Sequence, residues 1–319
     1  MSHTFRRLAV TLVAIAMPLS AIAALPSQAG AVPKAAPMRF LVNTGPKCTT
    51  HAVTLPLNGT VDAVIKWGDH SSQHVTSPLA SFPTHTYKKH AARVNHIVRV
   101  YGTVTWFGQD NTLDPVTTCI KKVQRWGNVG LTSLSGAFYG STANKAVPAP
   151  PLTVTNLSAM FEDAVNFNKP VASWNTSNVV DTNSMFSGAT AFNQPIDSWN
   201  TSKLADASFM FGGATAFNQP LNDWNLQANP NLIYMFSNAT SFNQSLGAWN
   251  VSDLAGLLTN SGISTANYGD TLVQWASRPE LSGVELDADS TTYPASAAAA
   301  HNTLSTTDGW YINDSGPAS

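Results

Sequence analysis

The feature that most constrains the fold of this 319-residue chain is a set of residue pairs that recurs every 25 residues through its middle. The Met-Phe pairs stand at Met160, Phe161, Met185, Phe186, Met210, Phe211, Met235 and Phe236. The Phe-Asn pairs stand at Phe167, Asn168, Phe192, Asn193, Phe217, Asn218, Phe242 and Asn243, and the Trp-Asn pairs at Trp174, Asn175, Trp199, Asn200, Trp224, Asn225, Trp249 and Asn250. A fixed spacing without an insertion means that each unit stacks on the next in one pose, which predicts a solenoid.

The apolar members of these pairs are the predicted repeat core. Within one unit we expect Val179, Thr182, Met185, Phe186, Ala189 and Phe192 to point inward. One unit cannot bury such a face alone, whereas units stacked at roughly 4.8 Å cover one another's side chains. Each large apolar residue buried in this way contributes about 1.5–3 kcal/mol.

The asparagines form two predicted columns, one after the phenylalanines and one after the tryptophans. A unit that turns corners leaves backbone groups unpaired, and each unpaired buried group costs about 1–3 kcal/mol. An asparagine amide can both donate and accept hydrogen bonds. We therefore expect each column to satisfy its own turn and the neighbouring unit.

The repeat resembles the BspA-type leucine-rich repeats of bacterial surface proteins, the DUF285 repeat. The resemblance covers four units over about Val154–Ser252 and a degenerate unit at "SLSGAFYGS". The stretches "NYGDTLVQWA" and "YPASAAAAHNTLSTTDGWYINDSG" resemble the segment that follows such repeats. The resemblance implies an extracellular solenoid that is often associated with adhesion to host proteins or other cells, and it leaves the ligand open.

An all-β region is predicted before the repeats, from about Met38 to Trp126. It contains β-branched and aromatic runs such as "VDAVIKW" and "HIVRVYGTVTWF", separated by turn-forming residues. Alternation in the second run predicts an apolar face made by Val98, Val100, Val104 and Trp106. One apolar face is what a strand in a β-sandwich requires.

The residues "VIKWGDHSSQ" and "THTYKKHAARVNHIVRVYG" make this region resemble PKD-type Ig-like domains. The shared elements are a turn at Trp67, Gly68 and Asp69 and a His-Thr-Tyr sequence before a valine-rich strand. We expect Trp67 to pack inward and Asp69 to cap backbone N–H groups of the turn. His70 departs from the family, which usually has glycine there, so the turn after Asp69 is expected to differ.

Cys48 and Cys119 are the two cysteines of the chain, and they lie in the first and last strand candidates. In an exported protein a disulfide is favoured over a metal or catalytic site. Such a bridge would restrict the unfolded chain by about 4 kcal/mol. The alternative is two free buried thiols.

The N-terminus has the layout of a secretory signal peptide. Arg6 and Arg7 precede an apolar run that ends near Met17, and small residues suitable for cleavage follow up to Ala31. The run is too short for a membrane-spanning helix, which needs roughly 20 residues, so we expect no transmembrane anchor in the mature chain. The predicted location is therefore secreted or cell-surface.

The predicted fold class is mainly β, with an Ig/PKD-like β-sandwich followed by a short leucine-rich-repeat-like solenoid of 25-residue units. The predicted domains are a signal peptide at 1–31, the sandwich at 38–127, the solenoid at 128–260 and a capping segment at 261–319.

Composition and motifs argue against several functions. The 17 basic and 18 acidic residues nearly cancel, so nucleic-acid binding is not expected. Histidines near Asp69 lack a ligand spacing such as HExxH, and the acids of the repeats do not recur as the pairs that glycosidases need. Asp181 and Asp206 do align, but one aligned acid fits a polar turn. We expect no catalytic residues, no metal and no cofactor.

The favoured hypothesis is an exported protein that binds an extracellular protein or glycan through its repeats. The predicted recognition positions flank the constant core. They are Lys169, Gln194, Gln219 and Gln244, together with Thr176, Thr201, Leu226 and Val251. The alternatives are a structural or cell-wall-associated spacer without a soluble ligand, and, less favoured, a polymer hydrolase.

Overall fold

The computed structural model describes residues 35–319 except 46–47, 49–50, 89–94, 111–116, 118, 144, 227–228, 252–253 and 279–281. The predicted signal peptide lies outside the described residues. Residues Ala35–Ser319 form one compact unit. The described part is mainly β with few helices, as expected, and none of its helices is long and apolar enough to cross a membrane.

The described residues of the N-terminal region form seven strands: β1 (Met38–Asn43), β2 (Ala52–Thr54), β3 (Leu57–Lys66), β4 (Ser72–Thr76), β5 (Thr84–Thr86), β6 (Asn95–Phe107) and β7 (Ile120–Arg125). Five of them form an antiparallel sheet in the order β4-β3-β6-β1-β7, while β2 and β5 pair separately. Alternating valines bury one face of β6, where Val98, Val100 and Val104 are inaccessible to solvent. The apolar side chains of β1 and β3 pack on the same side and make the core.

The end of β6 differs from the predicted alternation. Phe107, rather than Trp106, is the fully buried aromatic residue, and it stacks on Phe40 of β1 with ring centroids 5.1 Å apart. The pairing of β3 with β6 shifts in register between Asn58 and Val61 of β3. Beyond this shift, buried and exposed side chains of β6 no longer follow the predicted alternation. Trp106 is left half-buried, and its indole N–H donates to the carbonyl of Ser135 at 2.9 Å.

The predicted disulfide between Cys48 and Cys119 is confirmed, with Cα atoms 5.3 Å apart. Neither cysteine lies within a strand. Cys48 follows β1, and Cys119 immediately precedes β7. Because β1 and β7 pair in the sheet, the two flanking loops lie side by side and the bridge joins them.

The 25-residue units follow, and each lies against the next through one isolated parallel β-bridge. The bridges run in series from Trp106 of β6 through Ser133, Asn156, Asp181, Asp206 and Asn231. Backbone hydrogen bonds add to them at every unit; for example, Phe161 N–H donates to Met185 and Phe186 N–H to Met210, both at 2.9 Å. We call residues 133–261 the repeat stack.

The repeat stack has one more unit at its C-terminal end than the sequence indicated. Leu254 and Leu258 are fully buried, and Gly256 and Asn260 have the left-handed backbone that recurs at the corners of the other units. This unit has a leucine pair where the others have Met-Phe, and it is offset by a different interval. Because of these two differences, the 25-residue pattern did not predict this unit.

The C-terminal segment covers the last unit. It contains α1 (Thr265–Ala276), β8 (Glu285–Asp287), a 3₁₀ turn (Ala295–Ala297), α2 (Ala298–Asn302), a π turn (Thr303–Thr307) and β9 (Tyr311–Asn313), with β8 and β9 parallel. The Ser264 side chain caps α1 by accepting from Asn267 N–H. Trp275 of α1 is fully buried and donates its indole N–H to the Trp249 carbonyl at 3.2 Å. Leu254 N–H donates to Glu285 of β8 at 3.0 Å, so the backbone ladder continues into this segment.

Candidate binding surface

The interior of the repeat stack is made of aromatic columns, and every residue of the predicted repeat core is buried there. Phe161, Phe186 and Phe211 stack with successive ring centroids 5.8 Å apart. A second column stacks in the same way, with Phe167 6.0 Å from Phe192. These intervals between ring centroids are longer than the roughly 4.8 Å spacing of paired strands.

The tryptophans form a third column with a polar function as well as an apolar one. Trp174 and Trp199 stack with centroids 6.2 Å apart. The Trp199 indole N–H donates to the Val171 carbonyl of the preceding unit at 3.1 Å, and Trp224 and Trp249 make the equivalent bonds. Each indole therefore fills the core and satisfies a corner carbonyl.

The asparagines after the phenylalanines connect neighbouring units. Asn168 Oδ1 accepts from the Asn193 backbone N–H at 3.1 Å, and Asn193 Oδ1 accepts from Asn218 at 3.0 Å. Asn218 Oδ1 accepts from Asn243 at 2.9 Å. The Asn243 side chain ends the column by accepting from Ser264 N–H, next to α1.

Two of the asparagines after the tryptophans, Asn175 and Asn200, use their side chains within their own units. Asn175 Oδ1 accepts from Ser177 N–H and Asn200 Oδ1 from Ser202 N–H, both at 3.1 Å. Both asparagines are exposed. We expected each column both to close its own turn and to bond the neighbouring unit. Instead, the side chains after the phenylalanines bond the neighbouring unit, whereas those of Asn175 and Asn200 close local turns.

This difference predicts unequal costs of substitution. Asn193→Leu leaves the Asn218 N–H without its acceptor, so we expect the free energy of unfolding to fall by about 1–3 kcal/mol. Asn193→Asp retains an acceptor oxygen and should keep most of that stability. Asn200→Ala removes two exposed turn bonds, both from Ser202, and should cost less than about 1 kcal/mol, measured by urea unfolding. Equal costs for Asn193→Leu and Asn200→Ala would contradict the assignment.

The structure buries half of the recognition positions expected from the sequence and leaves the other half partly exposed. Gln194, Gln219 and Gln244 each donate from Nε2 to the asparagine of the preceding unit, so they belong to the ladder. The other set is buried, namely Thr176, Thr201, Leu226 and Val251. The variation within the buried set reflects alternative ways of packing a corner. Lys169 is half-buried.

The surface that does vary lies at a corner of each unit where the backbone is left-handed. It comprises Ala159, Ser184, Phe209 and Tyr234, with φ between 52° and 57°, and we call it the corner column. Glycine occupies the same place in the first and last units, at Gly136 and Gly256. A second left-handed corner four residues later has Asp163, Gly188, Gly213 and Asn238. These four residues are of types that tolerate this conformation, whereas Ala159, Ser184, Phe209 and Tyr234 are not.

Asp181 and Asp206 lie beside the corner column on the bridge residues of adjacent units. Burial raises the pKa of Asp181, and the charge of Asp206 adds to that shift, whereas hydrogen bonds from Asn183 N–H and Asn156 oppose it. Asp206 Oδ1 accepts from the backbone and hydroxyl of Ser208. Each carboxylate therefore accepts hydrogen bonds in its own turn, and Asp181 also accepts one from Asn156 of the preceding unit.

The Trp-Gly-Asp turn of the N-terminal region packs against the His-Thr-Tyr sequence. Trp67 is buried, and His85 stacks on it with ring centroids 5.1 Å apart. Tyr87 donates its hydroxyl to the Trp67 carbonyl at 2.7 Å, and Asp69 caps the turn by accepting from Ser71 N–H at 3.0 Å. His70 adopts a φ of 74°, the conformation for which glycine is suited, so the turn is kept at the cost of strain.

Asp69, Ser71 and His85 form a polar cluster that cannot act as a nucleophilic triad. Asp69 Oδ2 and Ser71 Oγ both approach the same nitrogen, His85 Nε2, at 2.7 and 3.4 Å. A proton relay needs the acid and the nucleophile on opposite ring nitrogens. The cluster therefore links the turn to β5.

Asp69 makes the stability of this turn dependent on pH. Partial burial raises its pKa, but hydrogen bonds from Ser71 and His85 outweigh burial, so the pKa lies well below its usual value. A lowered folded pKa stabilises the protein above the unfolded pKa of about 4, and that contribution is lost as the pH falls further.

We expect Asp69→Asn to lower the free energy of unfolding at pH 7 by about 1–2 kcal/mol through loss of charge-assisted bonds. The difference from the parent should shrink between pH 4 and pH 2 in urea unfolding. Asp62→Asn is the matched control, because Asp62 pairs with His74 on the exposed surface. A difference that stayed constant down to pH 2 would show that the Asp69 charge is not the cause.

Among the described residues, no group of three or more His, Cys, Asp or Glu side chains could hold a metal ion. The histidines near Asp69 divide between the turn, where His85 binds Asp69, and the surface, where His74 binds Asp62.

The described architecture is a β-rich chain whose repeats stack through an asparagine ladder and aromatic columns. Residues 132–249 match the family described as "Mycoplasma protein of unknown function, DUF285". The match spans the repeat stack from its first unit to Trp249 and leaves the N-terminal sheet and the C-terminal segment outside. No curated protein matches the chain. No solved structure matches it either.

Proposed function

We propose that the chain is an exported bacterial surface or secreted protein whose repeat stack is a leucine-rich-repeat solenoid that binds a macromolecular ligand. The N-terminal region is proposed to be an Ig/PKD-like sandwich that presents the solenoid. The match of residues 132–249 to DUF285 supports a BspA-like surface protein. The disulfide fits an oxidising, extracellular location.

One observation carries the binding proposal. The core columns and the asparagine ladder are constant from unit to unit, whereas the corner column changes from Ala159 and Ser184 to Phe209 and Tyr234. Stacking alone does not require large side chains at an exposed, left-handed position. Varied exposed residues on a rigid framework are where recognition is found in repeat proteins.

The chain is proposed not to be an enzyme. Asp69, Ser71 and His85 lack the arrangement of a triad, and Asp181 and Asp206 each accept hydrogen bonds from the turn that follows them. Hydrolysis of a polysaccharide or protein that disappeared on changing one of these acids would contradict this part of the proposal.

The test is saturable binding of the full chain to immobilised cell-wall fragments, matrix proteins and glycans. A corner variant, Phe209→Lys with Tyr234→Lys, should lose binding and keep its melting temperature. A control variant on the exposed edge strand β4, Gln73→Lys with His74→Lys, should bind as the parent does. Binding to nothing in the panel would overturn the proposal and favour a structural spacer.

A further inference from the structure

Phe209 and Tyr234 form an exposed aromatic pair on the corner column. Their ring centroids are 5.0 Å apart with an interplanar angle of 23°, and the two residues are 41% and 40% exposed. A left-handed backbone costs a residue with a β-carbon about 1–2 kcal/mol, and Ala159 and Ser184 show that small residues suffice at this position. The aromatic rings are therefore an addition that stacking of the units does not explain.

The aromatic pair is covered at its Tyr234 end and open at its Phe209 end. Tyr234 lies on Gly256 of the last unit, where a β-carbon would come within 2.1 Å of Tyr234 Cε1. Phe209 covers the other face of Tyr234. On the other side of Phe209 is the preceding unit, whose corner residue is the small Ser184, and Ser184 N–H donates to the Ser208 carbonyl at 2.9 Å. The column thus leaves a step in which the Phe209 face borders a short side chain.

Polar groups lie next to this step. Asn183 donates to Ser208 Oγ at 2.7 Å, which holds the amide beside the residue that precedes Phe209. Within the described part of the chain, neither Asn183 Oδ1 nor the Ser184 hydroxyl makes a hydrogen bond. The nearby carboxylates of Asp181 and Asp206 accept hydrogen bonds within their own turns, and among the described residues Asp206 Oδ2 accepts none. The groups left for a ligand are one aromatic face, one amide oxygen, one hydroxyl and one carboxylate oxygen.

We propose that this step, formed by the Phe209 face, Ser184 and Asn183, binds one ring of a neutral saccharide. The C–H face of a pyranose is slightly positive and stacks on the negative face of an aromatic ring. Its hydroxyl groups match a free acceptor and a free hydroxyl, and a few such groups are enough to fix orientation. Two exposed rings are far smaller than the roughly 800 Å² per partner of a stable protein interface, which disfavours a protein ligand here.

This inference names the ligand class of the proposed binding function and rests on it. The test is calorimetric titration of the full chain with three neutral hexasaccharides, namely β-1,4-linked N-acetylglucosamine, β-1,4-linked glucose and β-1,3-linked glucose. At least one should bind saturably. Phe209→Ser, which installs the residue of the preceding unit, should weaken that binding by about tenfold or more. Phe209→Trp should retain it, and Tyr311→Ser, at an aromatic residue 67% exposed on β9, should leave it unchanged.

The outcomes separate the inference from the function it rests on. Equal binding by the parent and Phe209→Ser, no binding of any hexamer, or tighter binding of hexalysine than of every hexamer would each overturn the saccharide site. If cell-wall or matrix binding then persisted in the parent and was lost in the corner variant, the proposed function would stand without this inference. A parent that binds nothing in either assay would remove both.

Discussion

Trp199→Ala lowers the free energy of unfolding by about 3–5 kcal/mol, the cost of deleting a large aromatic side chain from a core. Trp199 is 4% exposed, stacks on Trp174 and donates its indole N–H to Val171. The substitution opens a cavity and also leaves a corner carbonyl without a donor. Because each unit is stabilised by its neighbours, the loss should spread along the stack.

The measurement is urea unfolding followed by far-UV circular dichroism. Tyr311→Ala is the matched control, since it removes an exposed aromatic ring and should change stability by less than about 0.5 kcal/mol. Trp199→Phe keeps most of the apolar volume and should fall between the two. An unchanged urea midpoint for Trp199→Ala would place the tryptophan column outside the stabilising core.

Removing the disulfide with Cys48→Ala and Cys119→Ala should cost about 4 kcal/mol. The bridge closes a loop across a sequence separation of 71, and the loss of that restraint increases the entropy of the unfolded chain by about this amount. The loop contains β2 to β6, so the effect should be concentrated in the N-terminal sheet. Differential scanning calorimetry of the double variant measures it.

The reduced parent is the control for that experiment, because it loses the bridge without losing either sulfur atom. It should unfold at nearly the same temperature as the double variant. If the double variant matched the oxidised parent within about 1 kcal/mol, the unfolded chain would have to be restrained by something other than the bridge.

The binding surface was the part least accessible to sequence reasoning. Variation at Thr176 and Thr201 resembles variation at a recognition surface, yet both side chains are buried and donate to the next unit. Phe209 and Tyr234 resemble ordinary core aromatics in sequence. They lie at corners with a left-handed backbone, and the hydrophobicity of the sequence does not predict that conformation.

Periodicity by itself determined which residues form the interior of the repeats. A strict 25-residue interval makes equivalent residues meet, so the positions of Phe186 and Trp199 in the core follow from spacing and apolarity alone. The cysteine pair and the β-rich character were likewise readable, since the first follows from redox chemistry and the second from alternation.

Tertiary structure alone decided what each polar residue does. Asn193 and Asn200 recur with equal regularity, but only Asn193 faces the adjoining unit, so one bridges units and the other closes a local turn. The extra unit at Leu254, the phase change at Phe107 and the open face beside Ser184 depend on which backbone groups meet in space. Spacing determines which residues are equivalent, whereas the path of the backbone determines whether they face the core, a neighbouring unit or solvent.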